Sequence, residues 1–333
     1  LQTISIALCT YNGSRFLREQ LQSLANQTLL PTEVIITDDC SSDNTLEIAQ
    51  EFSNLLNIKT FKNDISLKVT KNFERAISLC TGDIILMCDQ DDLWHSDKLA
   101  KIHAYFQESS NKLAVFCDAD LVDETGKSLN KNFWSVVRFQ EPQIQQWKNG
   151  KAVEILLAGN RSAGCMMGFR KELVEKIIPF PTHIPEMIHD NWITIIAAML
   201  DKIGIIEERL ISYRQHSFQQ IGTRPKDAGK VISLKDRFSR PRAEKLAPFL
   251  VKSDYFCTLK KALIERIDEN NPNFEQLDRI INFYEVRGTL SPFHLARLFP
   301  VLKLLLSGDY HLYKDQEASW KAPLVAAIGD LLE

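Results

Sequence analysis

Apolar and polar positions alternate in blocks along the first third of the chain. Residues 4–9 (Ile-Ser-Ile-Ala-Leu-Cys) form a short apolar run that predicts a buried strand, and it stops at the polar turn Thr10-Tyr11-Asn12-Gly13. Leu17, Leu21 and Leu24 then recur at helical spacing, and Pro31 closes that segment. A second β-branched run at 33–37 ends at Asp38-Asp39-Cys40-Ser41-Ser42-Asp43. Leu46, Ala49 and Phe52 predict a helix, 58–61 a short strand, and Phe73, Ala76, Ile77 and Cys80 another helix. The strongest strand signal, 83–88, runs directly into Asp89-Gln90-Asp91-Asp92, with a helix expected at 96–106.

Strand, helix, strand, helix, strand predicts an α/β fold on a parallel sheet. Ligands of such sheets bind beyond the carboxyl ends of the strands, and the three polar clusters fall at those ends. Farther on, 113–118 and 163–169 read as strands, and 192–200 as a helix following His189-Asp190-Asn191. Residues 119–150, rich in Gln, Asn and Trp, read as an irregular substrate loop. From about residue 225 the pattern becomes helical to the end, 318–333 included. This gives two regions, a catalytic domain at 1–225 and a helical region at 226–333.

Composition narrows the function only slightly. Of 333 residues, 44% are hydrophobic and 25% charged, which suits a chain that buries a core. Forty basic against 43 acidic residues leave a net charge of −3, so nucleic acid is not expected as a partner. The 7 cysteines are scattered without a CxxC pair, which disfavours structural zinc or a disulfide framework and fits a reducing, cytoplasmic setting. The opening at Leu1 carries no signal-peptide pattern and reads as one module of a longer protein.

The chemistry lies in the strand-end clusters. Residues 10–13 contain one glycine, so the G-x-G-x-x-G dinucleotide turn is absent, as is the P-loop. Phosphate binding on this sheet would therefore run through a metal. Asp89 and Asp91, one residue apart at a strand end, suit a hard cation such as Mg²⁺ or Mn²⁺. The competing reading is a solvated acidic turn capping the next helix. Asp38 and Asp39 pose the same choice, between accepting from the N3–H of a pyrimidine base and forming an Asx turn.

Together these residues carry a resemblance. Residues 5–13, 33–43 and 88–94, the last reading Cys88-Asp89-Gln90-Asp91-Asp92-Leu93-Trp94, resemble the inverting family 2 glycosyltransferases. With His189-Asp190-Asn191-Trp192 and Tyr213-Arg214-Gln215-His216, the chain is similar to the rhamnosyltransferase branch of bacterial surface-polysaccharide synthesis. The resemblance spans roughly residues 3–220. It implies a GT-A fold, a Rossmann-like mixed sheet flanked by helices. It also implies dTDP-β-L-rhamnose as donor and a glycan or lipid-linked glycan as acceptor. Thr10, Tyr11, Asn12, Asp38 and Asp39 would bind the nucleotide with Asp89 and Gln90, while Asp89, Asp91 and His216 would hold the metal. Asp190, at the start of a helix in an apolar stretch, matches the catalytic base. An inverting transfer needs only one such carboxylate, to deprotonate the acceptor hydroxyl. His189, Asn191, Trp192 and Trp94 are candidates for acceptor or sugar contact.

Two departures from the family pattern stand out. Asn63-Asp64-Ile65 lacks the glycine of the usual Asn-x-Gly turn, and the Gln-x-x-Arg-Trp motif of the processive synthases is absent. The alternatives are hexosyl or N-acetylhexosaminyl transfer from a UDP-sugar, a nucleotidyltransferase, and a non-catalytic sugar-nucleotide-binding module. Residues 230–266 hold ten Lys/Arg against four Asp/Glu. That run reads either as a solvated helix face or as attraction to an anionic lipid-linked acceptor or to the inner face of the plasma membrane. Other glycosyltransferase modules are the remaining partner class.

Overall fold

The computed structural model describes residues 2–217, 241–313 and 320–332. They fall into two compact units, one within residues 1–223 and the other within 224–333. The expected boundary at 225/226, the basic residues 230–240 and the ends of the expected helix at 318–333 lie outside the described residues.

The first unit is built on β1 (Ile4–Thr10), β2 (Glu33–Asp38), β3 (Ile58–Lys62) and β4 (Ile84–Cys88), which pair parallel in the order β3-β2-β1-β4. The helices α1 (Leu17–Ala25), α2 (Thr45–Glu51) and α3 (Lys68–Leu79) connect them; α1 and α3 bury the apolar stripe their spacing predicts, while α2 buries Ile48 and Ala49 and leaves the expected Leu46 half-buried. β1, β2 and β4 are almost wholly buried, as continuous apolar runs in a parallel sheet must be.

Beyond β4 the sheet turns mixed. β5 (Leu93–Trp94) precedes α4 (Lys98–Glu108), followed by β6 (Ala114–Val122) and β7 (Ser128–Asn132). Then come α5 (Phe133–Val136), α6 (Glu141–Lys148), α7 (Ala152–Leu157), β8 (Met167–Arg170) and α8 (Val174–Ile177). Last are α9 (His189–Met199) and the long β9 (Ile203–Arg214). The full order is β3-β2-β1-β4-β8-β6-β9-β5, with β7 on β6. β8 runs antiparallel between β4 and β6, and β9 lies parallel to β6 and antiparallel to β5.

Residues 119–150 correct the sequence reading. They are a β6–β7 hairpin and two helices whose Trp134 and Trp147 pack edge-on against Phe116, with Phe139, from the turn between the helices, tilted against the same ring. The tryptophans that made this stretch read as a substrate loop, Trp134 and Trp147, are core residues. The strand expected at 163–169 begins with a 3₁₀ turn at Gly164–Met166, and α9 starts three residues earlier than expected, taking in His189 and Asp190.

The second unit is helical: α10 (Arg242–Ile264), α11 (Phe274–Gly288), α12 (His294–Leu306), α13 (Asp309–Leu312) and α14 (Ala322–Leu332). Its core gathers Phe256, Leu277, Phe283, Tyr284 and Tyr310. Among the described residues no helix is long and apolar enough to cross a membrane.

Candidate active site

The carboxyl ends of β1, β2 and β4 are adjacent because those strands are paired in register, Thr10 opposite Asp38 and Leu8 opposite Cys88. The residues that follow hold one another in place. Gln90 clips the backbone of Tyr11 as a peptide group would. Its Oε1 accepts from the Tyr11 N–H at 2.9 Å and its Nε2 donates to the Tyr11 carbonyl at 3.1 Å. The clip requires Gly13, where a Cβ would sit 2.2 Å from Gln90 Oε1. Asn12 takes a left-handed conformation (φ 46°), and its Oδ1 accepts from the Ser42 N–H. The Tyr11 side chain remains 46% exposed at the strand end.

Asp38 is fully buried. Its carboxylate accepts from Thr10 Oγ1 (2.8 Å), Ser41 Oγ (2.5 Å) and the Ser41 N–H (2.9 Å). That is the Asx-turn alternative, and it ties β1 to the loop after β2. Asp39 accepts from Asn63 Nδ2, Ser66 Oγ and the N–H groups of Leu67 and Lys68. Burial alone would raise its pKa, but these donors hold it below the usual carboxylate range. Both aspartates are thus committed to the loop that frames the site. Asn63, in the turn that lacks its glycine, is one of the residues holding Asp39.

The acidic loop after β4 divides in two. Asp91 Oδ2 lies 2.8 Å from His216 Nε2, the pair that the sequence placed together from 125 residues apart. Asp89 joins a different group: ligand atoms of Asp89, Asp92 and Cys165 all lie within 4.8 Å of one another. The expected trio of Asp89, Asp91 and His216 thus lies here as a pair beside a cluster of three. Asp92 Oδ1 accepts from the Arg214 N–H at 3.0 Å, while its Oδ2 is buried with no hydrogen-bond partner. Burial, then the Asp91 charge, pushes Asp92 up to about 7. Burial and the carboxylates of Asp92 and Asp91 raise Asp89 as well.

An orphaned carboxylate oxygen among three aspartates fits a hard divalent cation. Burial raises the Cys165 thiol well above its ordinary pKa, so at neutral pH it stays protonated and adds little to such a site.

Two buried cations border the cluster, and sequence reading missed both. Arg214, at the end of β9, donates to the Asp91 carbonyl, the Glu124 carbonyl and Glu19 Oε2, and lies over the Phe16 ring. It pins the acidic loop to α1. Lys98 Nζ donates to the Cys165 carbonyl at 2.5 Å and sits 3.5 Å from the centre of the Trp94 ring. The signals were an arginine two residues before His216 and a lysine after the Leu93-Trp94 pair, each indistinguishable in sequence from a surface cation.

Asp190 is buried in the first turn of α9. Burial pushes its carboxyl up to about 7, against the opposing effects of the Asn191 N–H, the Asn160 side chain and the Gly164 N–H. Gly164 adjoins Cys165 of the acidic cluster, and the Asp190 charge is among those that raise Asp89. Base candidate and acidic loop thus share one site.

The other α9 candidates separate. Trp192 is buried and its Nε1–H donates to the Ile177 carbonyl at 2.9 Å, so its ring belongs to the core. Trp94 is likewise buried, its ring face taken by Lys98. These two correct the expectation of sugar contact. His189 is buried against Phe73 and Phe180, and burial lowers its pKa to about 3, so it is neutral there. Its Nδ1 has no hydrogen-bond partner. Asn191 is half-buried, its N–H donating to Asp190 Oδ1 at 2.6 Å.

Residues 5–178, just over half of the chain, match the glycosyl transferase family 2, and the chain belongs to that family. It is 27% identical over 220 residues to an uncharacterised glycosyltransferase of Nostoc sp., covering 64% of this chain and 65% of that one. A shorter stretch of 99 residues is 38% identical to the dTDP-rhamnosyl transferase RfbG of Shigella flexneri, covering 28% of this chain and 34% of RfbG. The chain thus spans under two thirds of the length of these relatives. Among solved structures, S. aureus TarS 1–349 in complex with UDP-GlcNAc aligns with a TM-score of 0.53 at 16% identity, covering 93% of this chain and 89% of that one. That likeness shows a shared GT-A fold.

Proposed function

We propose that the chain transfers a sugar, with inversion, from a nucleoside-diphosphate donor to a hydroxyl of a bacterial surface glycan or its lipid-linked precursor. The donor favoured is dTDP-β-L-rhamnose. The observation that carries the reading is one site that joins the three strand-end loops to a buried carboxyl on α9. Tyr11, exposed at the end of β1, offers a face for the base. Asp38 and Asp39 act as positioning residues, shaping the loop that the nucleotide meets.

Asp190 takes the acceptor hydroxyl proton as that oxygen bonds to the anomeric carbon. The bond from that carbon to the diphosphate oxygen breaks on the opposite face, and the diphosphate leaves with the electron pair. Asp91 with His216, and Asp89 with Asp92, would hold Mg²⁺ or Mn²⁺. Such a cation, when bound, neutralises charge on the leaving diphosphate. Arg214 and Lys98 keep the acidic loop in shape and temper its charge. Residues 226–333 are assigned to acceptor, partner or membrane contacts.

The RfbG stretch supports rhamnose as the donor sugar. The UDP-GlcNAc complex of TarS supports the second reading, transfer of an N-acetylhexosamine from UDP. Donor hydrolysis across dTDP-rhamnose, UDP-GlcNAc, UDP-glucose and UDP-galactose, with Mg²⁺, Mn²⁺ or EDTA, separates the two. Metal-dependent turnover preferring dTDP-rhamnose is expected; preference for a UDP-sugar overturns the rhamnose assignment, and no turnover of any donor overturns the transferase reading.

A further inference from the structure

The second unit carries two features that sugar transfer does not use. On α12 the buried residues are Arg297, Val301 and Leu304. On the opposite side Leu295, Phe299 and Leu306 are 83%, 79% and 86% exposed, with Leu298 and Leu302 partly so. Spacings of three and four residues align these side chains in one stripe. α14, which packs on α12, repeats the pattern with Val325, Ile328 and Leu332 exposed opposite Pro323 and Ala327. Phe293, Leu295, Phe299 and Leu306 alone expose on the order of 500 Å², as much as the largest apolar patch of a typical soluble monomer.

The second feature is a cavity of about 150 Å³ bordering the stripe on α14, where Gly329 lies one turn from Val325. Arg242, Lys245, Arg287 and Arg297 line it, against the single carboxylate Asp330. Asp330 is already engaged. Arg287 donates to both of its oxygens, at 2.6 and 3.1 Å, and the Tyr310 hydroxyl donates to it at 2.5 Å. Arg297 is buried and donates to the carbonyls of Ser291, Pro292, Asp330 and Leu331. The Arg287 guanidinium stacks on Phe249, 3.9 Å from the ring centre. Such a cavity favours an anion the size of a phosphate.

We propose that the α12–α14 face docks on an anionic phospholipid surface, the apolar stripe entering the acyl boundary and the cavity taking a lipid phosphate. Charge decides the occupant. α12 carries no acidic residue and α14 carries only Asp330, while Lys303 and Lys321 flank the stripe. A second copy of the same face would set cations against cations, whereas an anionic leaflet neutralises them. Neither helix spans a bilayer, so the contact is interfacial. This inference rests on the assignment of residues 226–333 to membrane contacts above and is independent of the donor and of the reaction.

The test is co-sedimentation of the full chain with vesicles of phosphatidylcholine alone or mixed with phosphatidylglycerol. Binding to the mixed vesicles is expected, weakening with salt. The double variant Leu295→Asp with Phe299→Asp should lower the partition coefficient at least ~10-fold, since each side chain loses apolar burial. Arg242→Glu should lower it about fivefold or more. All three positions lie outside the buried core, and unchanged thermal unfolding and nucleotide binding confirm intact folding. No binding, or equal binding to both compositions, overturns the proposal. So does a wild-type dimer dissolved by Leu295→Asp without vesicle binding. So does cavity occupancy by inorganic phosphate while Arg242→Glu leaves vesicle binding unchanged.

Discussion

Replacing Asp190 by Asn should remove activity and raise stability together. The folded carboxyl titrates at about 7 instead of the ordinary 3.8 because burial penalises its charge. The unfolded chain therefore gives up this proton first. Relative to the amide, the penalty is absent below pH ~4, grows as pH rises and is complete above ~7. A shift of that size corresponds to up to about 4 kcal/mol at pH 8 and to about 1.6 kcal/mol at pH 5. Asn retains an oxygen to accept from the Asn191 N–H, so the variant escapes the charge penalty without losing that bond. Urea unfolding at pH 5 and pH 8, with chelator present and donor absent, should show the variant gaining on wild type as pH rises. Loss of a general base should slow transfer ~10²–10⁴-fold while leaving donor affinity unchanged. For the wild type, kcat/KM should fall about tenfold per pH unit below 7. A variant that keeps full turnover, or that is less stable than wild type at pH 8, refutes the reasoning.

Other perturbations probe separate links. Asp91→Asn or His216→Ala should weaken dependence on divalent cation at least ~10-fold, read from Mn²⁺ titration of donor hydrolysis. Gly13→Ala places a Cβ against Gln90, so the Tyr11 clip should open and donor KM rise with little change in thermal unfolding. Trp192→Phe loses the bond to the Ile177 carbonyl and should cost about 1–3 kcal/mol of stability while KM for the acceptor stays constant. Glu33, buried and hydrogen-bonded by Lys59, Ser5 and Thr81, titrates at about 2 despite the opposing effect of burial. Its contribution is present above pH ~4.5 and is lost as pH falls towards 2, so Glu33→Gln should lower stability by about 3 kcal/mol at pH 7 and by little at pH 2.

The parallel half of the fold was legible because each buried strand is a continuous apolar run that ends in a polar cluster, a pattern surface segments do not imitate. The mixed half was less so. The consecutive charged residues Glu207, Glu208 and Arg209 break the apolar run of β9, and β5 is two residues long. Trp134 and Trp147 misled because amide-rich neighbours disguised a core that only the β6–β7 hairpin assembles. At the candidate site, motif order pointed to Asp91, His216 and Asp190. Asp92, Arg214, Lys98 and Cys165 depend on long-range packing of β9, α4 and the turn before β8, which leaves no local signature. The hydrogen bonds that Thr10 and Ser41 donate to Asp38 likewise appear only in three dimensions.

The central claim is that one site binds a nucleoside diphosphate through the acidic loop and runs its chemistry through Asp190. Calorimetric titration of dTDP and UDP, with and without Mn²⁺, into wild type, Asp91→Asn and Asp190→Asn tests it most directly. The account predicts metal-dependent binding to wild type, the same affinity in Asp190→Asn, and a marked loss in Asp91→Asn. Absence of nucleoside-diphosphate binding to wild type under every condition, or binding that Asp91→Asn leaves untouched, would contradict it.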